Sequence, residues 1–109
     1  MTDRIDLLQG TLDLLILKAL LPAALHGWGI SKRIRLLSDE VLQVNQGSLY
    51  PALYRLEDRG LINAAWGISP EGRRAKFYTL TARGRRRFAE EKASWRMFTG
   101  AVEQVLGSS

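Results

Sequence analysis

The chain contains no cysteine, a single histidine and only three prolines in 109 residues. Without cysteine there is no disulfide, no thiolate metal site and no thiol nucleophile. One histidine leaves His-rich metal centres and most histidine-based triads without their parts. Long hydrophobic runs are missing too. The longest, Leu12 to Leu21, is interrupted by Asp13 and Lys18 and is too short to span a bilayer. The opening MTDRIDLLQG carries acids and no cleavable pattern, so no signal peptide is expected and a cytoplasmic location is. There are no paired carboxylates marking a pocket and no glycine-rich phosphate loop; Gly27 and Gly29 do not make one. The chain is therefore expected not to be an enzyme, and to need no metal or cofactor.

What is present is an ordinary soluble composition, 46% hydrophobic and 25% charged. At this length it makes one modest core. The net charge of +5 is unevenly placed. Residues 68–87 hold seven bases (Arg73, Arg74, Lys76, Arg83, Arg85, Arg86 and Arg87) against Glu71, a net of +6; the rest of the chain has nine bases and ten acids, a net of −1. A local excess of this kind fits a polyanionic partner, against the plainer reading of a solvated surface.

The stretch just before that patch, NQGSLYPALYRLEDRG from Asn45 to Gly60, reads as a short helix. Pro51 fits only its first turn, which sets the start near Gly47 or Ser48, and Gly60 supplies a left-handed stop. Leu49, Leu53 and Leu56 form an apolar stripe. Gly47, Ser48, Pro51, Tyr54, Arg55 and Asp58 fall on the opposite face, with Tyr50 at its edge. Ser48, Tyr54 and Arg55 are the candidates for base-edge or phosphate contact, and Gln46 and Tyr50 for phosphate contacts that set register.

Before this helix, residues 1–6 read as frayed. Gln9 to Leu21 reads as a first helix, apolar on nearly every face. Such a helix needs cover on two sides, its own core and a second subunit, and Leu14 and Leu17 are expected at the subunit contact. Ala23 to Gly27 reads as a loop in which His26 caps or is locally satisfied. A second helix spans Trp28 to Leu37, and Val41, Leu42 and Val44 form a short extended segment. After Gly60, Leu61–Trp66 and Lys76–Leu80 alternate as strands around the basic turn GISPEGRRA. Arg73, Arg74 and Lys76 then form a charged hairpin tip. Three helices followed by a hairpin make a winged helix-turn-helix, mainly α with a small β-hairpin. This domain covers residues 1–81. Thr81 can cap a last helix, residues 82–109, in which Gly84 is merely tolerated. Phe88, Trp95, Phe98, Val102 and Val105, with Glu91 as a polar interruption, make a heptad seam that calls for a partner helix from an identical chain. Trp95, mid-seam, either packs the dimer or lines an effector cavity.

The segments LLQGTLDLLILKALL, HGWGI, NQGSLYPALYRLEDRGLI and RRAKFYTLTARGRRRF, and the closing stretch Trp95 to Leu106, together resemble the PadR-type transcriptional regulators with a single C-terminal helix. Trp28 stands where many members have tyrosine, and Ala75 where many have a base. The resemblance implies a homodimer bound to a palindromic operator on double-stranded DNA, acting as a repressor. It also implies a dimer built from the last helix and the partner's first helix, and, in some relatives, planar or phenolic effectors near that interface. A winged helix used only for protein contacts is the rival; salt-dependent binding to duplex DNA separates the two.

Overall fold

The computed structural model describes residues 5–6 and 9–109. In chain order the elements are β1 (Ile5–Asp6), α1 (Gln9–Ala19), β2 (Leu25–His26), α2 (Gly27–Leu37), β3 (Leu42–Gln43), α3 (Gln46–Asp58), β4 (Ile62–Ile68), β5 (Arg74–Leu80) and α4 (Ala82–Gly107). The expected fold is present, four helices with a small antiparallel sheet. That sheet has three strands in the order β2-β5-β4, one more than the expected hairpin. Leu25 and His26, read above as loop, pair with Tyr78 and Phe77. Ile5 and Asp6 are likewise paired, parallel to Leu42 and Gln43. Two-residue strands carry too little periodicity to be seen in sequence. Leu8, assigned above to the first helix, lies outside the described residues.

The core is the meeting point of the first three helices and the base of the sheet. Leu12, Ile16, Leu17 and Leu20 come from the α1 segment, Ile30 and Ile34 from α2, and Leu49, Ala52, Leu53 and Leu56 from α3. Ile62 and Tyr78 close it from the sheet. Most of the apolar surface of α1 is therefore buried within one chain. Leu17 is 2% exposed, which removes it from any subunit contact; only Leu14, half-buried, keeps a free edge. The chain is long enough to cover α1 because α4 packs on it as well as α3.

The ends of α3 explain its length. Asn45 accepts a hydrogen bond from the Gly47 N–H at 2.7 Å, so the helix begins at Gln46 and Pro51 lies one turn further in than expected. At the other end Gly60 has φ +73°, the Leu61 N–H reaches the Leu56 carbonyl at 2.9 Å and the Gly60 N–H reaches that of Glu57 at 2.9 Å. This 6→1 and 5→2 pair ends the helix in a left-handed turn that only glycine adopts without strain.

The start of α4 is locked to the end of α3. Thr81 Oγ1 donates to the Gly60 carbonyl at 2.7 Å and accepts from the Gly84 N–H at 2.9 Å, while the Thr81 N–H donates to the Leu61 carbonyl at 3.1 Å. Gly84 is buried here, and a Cβ on it would collide with the Leu61 carbonyl oxygen. Glycine is thus required at this crossing, not merely tolerated.

Candidate nucleic-acid interface

Helices α2 and α3 form the helix-turn-helix, and α3 exposes Gln46, Ser48, Tyr50, Pro51 and Tyr54. Tyr54 is the most open, 74% exposed, and Tyr50 is 51% exposed. Tyr50 leans over the start of α2, where a Cβ on Gly27 would come within 2.8 Å of its hydroxyl oxygen. Gly27 is what lets the two helices approach there. His26 caps α2 as expected: its Nδ1 accepts from the Gly29 N–H at 2.9 Å. Gln46 Nε2 donates to Ser31 Oγ at 3.3 Å, tying the first turn of α3 to α2.

Arg55 is the exception on this face. Its Nη2 donates to Asp13 Oδ1 at 3.0 Å, and both side chains are largely covered. The helical wheel put Arg55 on the outer side of α3, but α1 crosses that edge and takes the guanidinium. Arg55 is therefore removed from the base-contact residues. Burial is the main influence on Asp13 and raises its pKa; the Arg55 charge and hydrogen bond, and then the Arg59 charge, oppose this without cancelling it.

The wing stands across from α3. Strands β4 and β5 pair from Ile62↔Leu80 out to Ile68↔Arg74. Its tip is fixed by Ser69, a buried polar residue. The Ser69 N–H donates to the Arg73 carbonyl at 2.7 Å, the Gly72 N–H to the Ser69 carbonyl at 2.9 Å, and the Arg73 N–H to Ser69 Oγ at 3.2 Å. Gly72, with φ +80°, makes the bend. Arg73, Arg74 and Lys76 all line a groove of about 610 Å³ that separates the wing from Tyr50 and Tyr54. Glu57 lies on its floor, 3.8 Å from Lys76 Nζ. The same groove takes in Tyr78, whose pKa is raised first by burial and then by the Glu57 and Tyr50 charges, so its hydroxyl stays protonated at neutral pH.

A profile of the Transcriptional regulator PadR-like family matches residues 16–90. The chain belongs to the PadR family of transcriptional regulators. PadR proteins are transcription factors, not enzymes, and the family role implies DNA binding. A PadR-family transcription regulator from Clostridium difficile is 32% identical, with a TM-score of 0.75 over 88% of this chain and 98% of that one. A transcriptional regulator from Clostridium thermocellum is 28% identical, with a TM-score of 0.80 over 88% and 93% of the two chains. A PadR-like transcriptional regulator from Bacillus cereus is also 28% identical, with a TM-score of 0.77 over 93% and 96%.

Two exposed tryptophans on this PadR face escaped the reading of the sequence. Trp28 is 59% exposed with Lys32 Nζ 5.1 Å from its ring centroid, and Trp66 is 61% exposed with the Arg74 guanidinium carbon at 4.7 Å. Both were read as packing residues, because a tryptophan beside glycines or in an alternating strand normally faces a core. Of the four arginines that open α4, Arg87 pairs with Glu91 at 2.9 Å and Arg85 reaches the Leu21 carbonyl at 3.5 Å.

On the far side, α1 and α4 enclose a second groove of about 300 Å³ between Gly10, Thr11 and Leu14 and Glu91, Ser94, Trp95 and Phe98. Phe88 is not part of its open seam; it is half-buried against the chain's own core. From Trp95 onward the seam is bare: Trp95 is 42%, Phe98 62%, Val102 37% and Val105 72% exposed. Among the described residues no helix is long and apolar enough to cross a membrane.

Proposed function

We propose that the chain acts as a homodimeric repressor on a palindromic operator. Gln46, Ser48, Tyr50 and Tyr54 of α3 enter the major groove, while Arg73, Arg74 and Lys76 grip the adjoining backbone. The observation that carries this reading is the groove between wing and α3, with hydroxyl-bearing side chains on one wall and three cations on the other. A duplex strand has the complementary chemistry, a phosphate row beside base edges. Leu14, Trp95, Phe98, Val102 and Val105 pair two copies along α4, leaving residues 1–81 as the reading unit and 82–109 as the clasp. A small aromatic effector held against Trp95 would release the DNA by altering how the copies pair.

Selecting bound duplexes from a random pool tests the proposal. The expected product is an inverted repeat with half-sites about one helical turn apart, 34–36 Å. Recovery of unpaired single sites, or no enrichment at low salt, refutes it.

A further inference from the structure

The inner face of the wing outruns the core it is built for. Along β4 that face carries Ile62, Ala64, Trp66 and Ile68, opposite Leu80, Tyr78, Lys76 and Arg74 of β5. Burial fades along it. Ile62 is fully buried and Ala64 half-buried, whereas Trp66 is 61% and Ile68 68% exposed. The hairpin therefore extends an apolar face beyond anything in the described chain that covers it, on the side that looks across to Tyr50 and Tyr54. The overhang is also cationic. Lys76 is the cross-strand partner of Trp66, and the Arg74 guanidinium carbon stacks 4.7 Å from the indole centroid. A guanidinium resting on an indole has given up part of its rotamer freedom before any ligand arrives. The Ser69 bonds fix the turn from which Arg74 leads.

We infer that Trp66 and Arg74 together read the minor groove beside the half-site, so that the protein selects A·T over G·C pairs at positions α3 does not touch. The inference rests on the DNA-binding reading above. The chemistry matches on both sides. A narrow A·T minor groove concentrates negative potential that draws in an arginine, and its floor offers only acceptors. Its walls are deoxyribose C–H groups, suited to the uncovered indole and the Ile68 side chain. The exocyclic amine of guanine projects from the floor and blocks the guanidinium. Trp66 is a positioning residue for Arg74, and the selectivity depends on the pair.

The test uses the selected operator with its wing-facing flanks built as A·T, as G·C, or as inosine·C, which removes the minor-groove amine and keeps the major-groove edge. The wild-type protein is expected to bind A·T and inosine·C flanks about tenfold more tightly than G·C flanks, the scale of one mismatched position. Trp66→Ala should bring the three to within about twofold, while Trp66→Phe, which keeps an aromatic face, retains most of the preference. Arg74→Lys should lose it, since an ammonium neither stacks nor fits the groove floor as a planar fork. Full flank preference in Trp66→Ala, or inosine·C behaving like G·C, overturns the inference and leaves the DNA-binding reading intact. Wild-type protein that binds no duplex at low salt removes both.

Discussion

Arg55 and Asp13 link the first helix to the reading helix from inside the chain. Because the guanidinium is engaged with Asp13, Arg55→Ala is expected to act on stability, leaving a half-covered carboxylate alone. The cost is about 1–2 kcal/mol, a charged hydrogen bond lost in a partly wet setting. A thermal melt should show the loss, while preference at every operator position stays as in the wild type. Relaxed preference at one position would return Arg55 to the groove. Asp13 adds a pH dependence. Its pKa is raised above 3.8, chiefly by burial, so the folded chain holds this proton more tightly than the unfolded one. The resulting stabilisation is complete below 3.8 and is lost as pH rises through the raised value. Asp13→Asn still offers an amide oxygen to Arg55 and has no proton to lose. Denaturant unfolding of both forms from about pH 4 to about pH 7 should therefore show the wild type losing stability relative to the variant as pH rises.

At the scale of elements, the α3–α4 junction governs what the wing can do. Thr81 is bonded to both Gly60 and Leu61, and Gly84 lies against the Leu61 carbonyl. Gly84→Ala is expected to cost about 1–3 kcal/mol through overpacking, where helix propensity alone would have gained ~1 kcal/mol. A rise in melting temperature would show that the crossing is looser than drawn. This junction also marks how far the sequence could be read. The caps at His26 and Thr81, the glycine stop at Gly60 and the stripe Leu49–Leu53–Leu56 were legible, because each rests on local chemistry. Arg55 was misplaced because a helical wheel does not know that α1 crosses its edge. Leu17 and Phe88 were assigned to a partner because a seam pattern cannot tell the chain's own core from another copy's. Trp66 was missed because only the structure reveals where the core stops beneath an alternating strand.

As a whole the molecule is extended, 56 × 37 × 22 Å, with a radius of gyration of 15.2 Å against about 13 Å for a compact chain of this length. The excess is α4, which at 26 residues is about 39 Å long. Its outer half leaves Met97, Phe98, Val105 and Leu106 open to water, a surface suited to the proposed second copy. Phe98→Asp is expected to give a monomer in sedimentation velocity and to weaken operator binding about 10²-fold, through loss of two-headed attachment. Wild-type protein that sediments as a monomer would end the dimer proposal. The Thr81 knot then acquires a geometric role. With the recognition rod and the clasp welded at one joint, α4 becomes a lever arm. A tilt of about 10° over an arm of ~30 Å swings its far end by ~5 Å, more than the 3.4 Å rise of one base pair. Small rotations where the two tails meet are thereby magnified into whole steps along the duplex, so the joint angle sets the ruler against which operator spacing is measured.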